Sequence, residues 1–169
     1  MIVTFIRNSN NITIDTFLGG ISQTTQVVYQ ISRNLDFIFI VDGSDNMASY
    51  FDSVKAFMIS MISMFDMSGG NIRVGIVLNG GRQYVVAELN KKSSLEDYKQ
   101  TIQNMRIVGG NNANFLDGLR WAYKSLTNPS NTASAGSSWF AWVFVISASN
   151  YRPIGAEMTI ANDIRKRGL

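Results

Sequence analysis

Apolar residues in this chain fall into short runs and longer 3.6-residue stripes that alternate along its length. The densest run, Leu35 to Val41 (Leu-Asp-Phe-Ile-Phe-Ile-Val), has the length and Ile/Val/Phe content of a buried central strand. It breaks off in the acidic, small-residue turn Asp42-Gly43-Ser44-Asp45-Asn46. From Ala48 to Met67 apolar residues recur at Phe51, Val54, Phe57, Met58, Met61, Ile62, Met64 and Phe65, which predicts a long amphipathic helix stopped by Ser68-Gly69-Gly70. Its methionine stripe (Met58, Met61, Met64, Met67) reads as core packing. Ile72 to Leu78 predicts the next strand, and Asn79-Gly80-Gly81 turns it into an antiparallel hairpin with Tyr84 to Leu89.

The second half continues the alternation. Ser93 or Ser94 caps a predicted helix running to Met105, with Glu96 and Asp97 in its favourable first turn. Gly109-Gly110-Asn111-Asn112-Ala113-Asn114 is a polar loop, and helical spacing returns from Phe115 to Leu126. A polar loop from Thr127 to Ser138 leads to a buried strand, Phe140 to Ile146. Ala156 to Arg167 predicts a last helix with a basic final turn. Ahead of all this, Ile2 to Ile6 reads as a strand, Ile14 to Ile21 as a brief helix, and Gln26 to Ile31 as a second strand. Of the tryptophans, Trp121 and Trp142 are expected in the core and Trp139 at the surface.

Composition narrows the chemistry. At 169 residues with 46% hydrophobic content and two prolines, one globular domain with a sizeable core is expected. The net charge of +3 is scattered apart from Lys91-Lys92 and Arg165-Lys166-Arg167, which gives no footprint for nucleic acid. No apolar stretch reaches the length of a membrane span, so no membrane insertion is expected, and no signal peptide is visible. Asn11-Ile12-Thr13 is a glycosylation sequon, a triplet that arises often by chance. The chain has neither Cys nor His, which removes thiol chemistry, the commonest general base and the commonest zinc ligands. Asp42 and Asp45 form the one carboxylate pair worth weighing, and turn and cap roles account for both. No enzyme is expected.

The turn after the densest strand is where chemistry is expected. Asp42, Ser44 and Asn46 alternate, so their oxygens converge beyond the strand's carboxyl end, where open α/β sheets place their ligand sites. Strand, acidic turn and helix together resemble the opening of a von Willebrand factor A domain. Asn71-Ile-Arg-Val-Gly-Ile-Val-Leu resembles that family's second strand, Ile107-Val-Gly-Gly-Asn-Asn its second metal loop, and Trp142-Val-Phe-Val-Ile-Ser-Ala-Ser its fourth strand. The resemblance implies a three-layer α/β/α sandwich around a mostly parallel sheet with one antiparallel edge strand. It also implies a metal-ion-dependent adhesion site (MIDAS), in which Asp-x-Ser-x-Ser, a Thr and a later Asp hold a divalent cation. Here Asp42 and Ser44 match, Asn46 replaces the last Ser, Asn112 stands in the Thr position, and Ala148 in that of the last Asp. The site is thus degenerate. Two readings follow: a vestigial turn held by Asp42 and Ser44 hydrogen bonds, with no cofactor, or a modified site in which Asp42, Ser44, Asn46 and Asn112 bind Mg2+ or Mn2+ and bridge to a protein ligand's carboxylate. Under either reading the resemblance implies a non-enzymatic, extracellular interaction or structural module.

The termini suggest a permuted order. The family continues past the last helix seen here with a strand, a helix and another strand, and residues 1–31 supply such a set at the other end. Residues 1–34 are therefore expected to form a separate strand–helix–strand segment beside a domain at 35–169. For the second strand of that segment, closure within one chain demands roughly 25 Å across the sheet. Ser32-Arg33-Asn34 with its flanks reaches only about 15 Å. Donation to a neighbouring copy is expected ahead of completion of the same domain or an unrelated extension, with Ile2, Val3, Thr4, Phe5, Ile6, Val27, Val28 and Tyr29 inserting beside the strand ending at Ile146. Head-to-tail donation of this kind builds rings or filaments.

Overall fold

The computed structural model describes residues 2–7, 34–89, 94–132, 139–148 and 154–166. The expected helix at Ile14 to Ile21 and the strand holding Val27, Val28 and Tyr29 lie outside them.

Among the described residues, five strands form one sheet: β1 (Ile2–Arg7), β2 (Asn34–Asp42), β3 (Ile72–Asn79), β4 (Gln83–Ala87) and β5 (Trp139–Ser147), in the order β1-β5-β2-β3-β4. β2 pairs in parallel with β3 on one side and β5 on the other. It is the centre of the sheet, buried from Leu35 to Asp42. Alternate residues divide its two faces. Leu35, Phe37, Phe39 and Val41 join the core under α1 (Phe51–Ser63) and α2 (Leu95–Gln103). Ile38 and Ile40 join the core under α3 (Phe115–Thr127) and α5 (Ala156–Lys166). A single helical turn, α4 (Pro129–Thr132), follows α3. The result is the expected three-layer α/β/α sandwich.

The first face is built largely of aromatic rings. Phe39 stacks on Phe144 at 5.1 Å, and Phe37 meets Trp142 edge-on at 5.4 Å. Of the methionine stripe, Met58 and Met67 are buried, Met61 is half-buried and Met64 is exposed. The helix is shorter than its stripe because Phe65 and Met67 stay buried after the chain has left α1. Ser94 caps α2 in a reciprocal pair with Asp97: each backbone N–H donates to the other's side chain.

On the second face, Asp36 and Arg73 are cross-strand partners at the lower end of β2 and β3. Both are buried, and the guanidinium donates through Nε and Nη2 to the two carboxylate oxygens at 2.7 Å each. Burial pushes the Asp36 carboxyl above its ordinary value, against the downward pull of Arg73. At this face α3 also lies close on the sheet. A Cβ on Gly118 would stand 2.5 Å from Ile40 Cγ2 and 2.7 Å from Asn79 Nδ2.

Two expectations need correction. The sheet has antiparallel strands at both edges: β4, as its glycine turn predicted, and β1 as well. Moreover, Ile2 to Ile6 does reach the edge of β5 in its own chain, running antiparallel from Ile2 beside Ser147 to Arg7 beside Trp142. The 25 Å estimate applied to Gln26 to Ile31, which lies outside the described residues. In the antiparallel arrangement Arg7 and Asn34 lie at the same end, since Asn34 pairs with Trp139. Residues 8–33 connect them, and a chain of that length extends to roughly 85 Å.

Candidate functional site

The candidate site lies at the carboxyl ends of β2 and β3, where Asp42 and Asn79 end neighbouring strands as cross-strand partners. Beyond Asp42 the chain passes Gly43 and extended Ser44 into a short 3-10 turn, Asp45–Met47, anchored by the buried Met47. Asp42 is buried, and its Oδ1 accepts the Ser44 N–H at 2.9 Å, which fixes the turn locally.

Two more loops weave against this one. Gly43 N–H donates to the Asn79 carbonyl at 2.6 Å, and the Gly43 carbonyl accepts from the N–H groups of Val108 (3.0 Å) and Gly109 (3.1 Å). Gly81 N–H donates to the Gly109 carbonyl. Such an approach needs bare backbone: a Cβ on Gly80 would stand 2.9 Å from Val108 and 3.0 Å from the Gly43 carbonyl carbon. Gly109 and Gly110 adopt φ of +80° and +93°, values that glycine alone takes without strain. The expected metal loop at 107–112 is therefore beside the Asp42–Asn46 turn.

Side chains tie these loops further. Asp45 N–H donates to the Gly110 carbonyl at 2.9 Å, and Gly110 N–H donates back to Asp45 Oδ2 at 3.2 Å. Asn46 Nδ2 donates to the Asn111 carbonyl. Asn46 and Asn112 are exposed, whereas Ser44 is fully buried. Ala148 follows the end of β5, half-buried against the aromatic core.

Three buried polar atoms of this region have no partner among the described residues: Ser44 Oγ and both Nδ2 and Oδ1 of Asn79. Reading the sequence as a turn missed Asn79. An amide closing the apolar run Val74 to Leu78 was the signal for it. The donor set fits a hard divalent cation poorly. Carboxylates supply much of the attraction for such ions, and at the turn Asp42 and Asp45 each already accept a backbone N–H. Ala148 offers no side-chain oxygen. Among the described residues, no three of His, Cys, Asp or Glu gather in one place.

An open cleft of about 660 Å³ lies next to the turn, between α1 and the segment after α2, with Asp52, Lys55 and Arg106 on its walls. Lys55 Nζ lies 2.8 Å from Asp52 Oδ1, and this bond holds the exposed Asp52 carboxyl below its ordinary range. Arg106 caps the end of α2 by donating to the Met105 and Gln103 carbonyls. No described helix is long and apolar enough to cross a membrane.

Comparison with known proteins agrees with this architecture. The family model for the von Willebrand factor type A domain matches residues 36–166. The human collagen alpha-6(VI) chain is 32% identical over 81 residues, covering 47% of this chain and 4% of the collagen. Mouse von Willebrand factor A domain-containing protein 2 is 24% identical over 153 residues, 90% of this chain and 18% of that protein. The chain thus spans only a small part of these relatives. Among solved structures, proximal thread matrix protein 1 from the mussel byssus superposes with a TM-score of 0.62 at 18% identity, covering 80% of this chain and 36% of that one. A form of that mussel protein with a zinc-occupied MIDAS motif superposes with a TM-score of 0.52 at 18% identity, over 63% of this chain and 27% of that one. With the family model spanning the sheet from β2 through α5, the chain belongs to the von Willebrand factor type A domain family.

Proposed function

We propose that this domain is a non-enzymatic structural module of an extracellular matrix-type protein, and that its first partner is another copy of itself. Its relatives include collagen chains, and its fold is shared with a thread matrix protein. Without His or Cys, the chain has few means of covalent chemistry. The observation that carries self-association is β1. It is a six-residue strand at the sheet's edge, joined to the rest by residues 8–33 and held to β5 by one ladder.

A second copy presents the same β5 edge, so exchanging β1 between copies rebuilds an identical ladder without new contacts. Donation then competes with closure in the same chain rather than replacing it. Intramolecular closure through a connection of this kind corresponds to an effective concentration on the order of millimolar. Exchange therefore becomes favourable in a densely packed assembly and remains minor in dilute solution. Donation in one direction propagates head to tail, and mutual donation closes a dimer.

Light scattering on the full chain from about 10 μM to ~1 mM tests this. Mean mass is expected to rise toward the upper end. Proline at both Thr4 and Phe5, which removes a ladder donor whichever way the strand alternates, is expected to abolish the rise. A mass that stays monomeric throughout, or a rise that survives both prolines, overturns the self-association half of the proposal.

A further inference from the structure

We infer that the adhesion-type turn of this domain is clasped by Asp45 and Asn46 and holds its shape without a divalent cation. The inference goes beyond the proposed self-association and rests on family membership alone. In the family a cation draws the first turn and the double-glycine loop together by sitting between their oxygens. Here the two loops are joined directly. Asp45 engages Gly110 twice, through backbone and carboxylate, and Asn46 reaches one residue further to the Asn111 carbonyl. All three bonds cross between the loops that a cation would bridge.

The residue changes suit that role. An amide at Asn46 brings an N–H donor to a carbonyl oxygen, and a serine in its place is shorter by one bond and one donor. Spending the Asp45 carboxylate on Gly110 N–H fixes a backbone amide that a cation could not satisfy.

The test uses the full chain and the free metals. Titration calorimetry with Mg2+, Mn2+ and Zn2+ is expected to show no binding at the turn, and EDTA is expected to leave the melting temperature unchanged. Micromolar binding that disappears in Asp42→Ala overturns the inference; binding that survives Asp42→Ala lies elsewhere and leaves it standing. Hydrogen exchange supplies the second arm. Asn46→Ala is expected to accelerate exchange at the backbone amides of residues 108–112 while circular dichroism stays native. Unchanged protection there overturns the clasp. Finally, Asn46→Ser, Asn112→Thr and Ala148→Asp combined are expected to create Mn2+ binding, and their failure to do so overturns the assignment of those three positions as what is missing. None of these readouts depends on self-association.

Discussion

Replacing Arg73 by methionine tests the packing of the second face most sharply. The substitution keeps an unbranched stem but removes the guanidinium that donates twice to Asp36, at 2.7 Å per bond. Asp36 is 1% exposed, so water cannot take over those bonds without opening the sheet. Breaking a buried pair from one side costs about 3–5 kcal/mol, because the remaining charge is left uncompensated. Burial already raises the Asp36 carboxyl, and losing Arg73 removes the two influences that lower it. The variant therefore relieves its strain by taking up a proton. A carboxyl whose folded pKa lies above its unfolded value stabilises below the unfolded value and loses that contribution as pH rises through the folded one. Arg73→Met should accordingly be weakest at neutral pH and recover on acidification, by up to about 1.4 kcal/mol per pH unit. Urea unfolding followed by circular dichroism reads both effects. With a slope of about 2 kcal/mol per molar, a cost of ~4 kcal/mol moves the midpoint down by ~2 M. Asp36→Leu combined with Arg73→Met should restore or exceed wild-type stability. A single-variant cost under about 1 kcal/mol at neutral pH, or a deficit that widens on acidification, refutes the reasoning.

Three smaller predictions follow from the packing. Gly118→Ala improves helix propensity by about 1 kcal/mol yet should destabilise by a net ~1–2 kcal/mol in thermal melts, because its Cβ overlaps Ile40 and Asn79. Ser94→Ala removes the acceptor for Asp97 N–H and should cost about 1 kcal/mol in the same melts, with Ser94→Gly costing less. Gly110→Ala meets both a positive φ and the Gly81 backbone, and should speed proteolysis in the 107–112 loop while leaving the strands protected from exchange.

Most of the architecture was legible because burial writes itself into residue spacing. β2, β3 and β5 lie within a residue or two of their apolar runs, and the glycine turn at Asn79 announced the β4 hairpin. The end of α1 was not legible, since Phe65 and Met67 keep the helical stripe going from outside the helix. For β1 the neighbouring strand was legible but its direction and its chain were not. Its four apolar residues predict a strand, but an edge strand's direction depends on where the chain returns. Asp36 and Arg73 were legible in hindsight: a charge inside each of two adjacent buried runs needs a partner, and both stand second or third from the strand start. At the turn, spacing placed Asp42, Ser44 and Asn46 beyond the end of β2, where Asp42 and Ser44 are buried and Asn46 is exposed. The bonds from Asp45 and Asn46 depend on the path of the 107–112 loop, which two consecutive positive-φ glycines set and periodicity does not register.

We propose that β1, which pairs with β5 in its own chain, keeps that pairing when dilute and exchanges between copies when crowded. The chain has no cysteine, so one engineered pair reports on it directly. Ile2 and Ser147 are cross-strand partners, and Ile2→Cys with Ser147→Cys places two thiols across the ladder. After oxidation, non-reducing gels should show an intrachain disulfide in monomers at about 10 μM, and interchain dimers and a ladder of higher species near ~1 mM. Intrachain disulfides alone at every concentration would contradict exchange, and the lack of any disulfide would contradict the β1–β5 pairing itself.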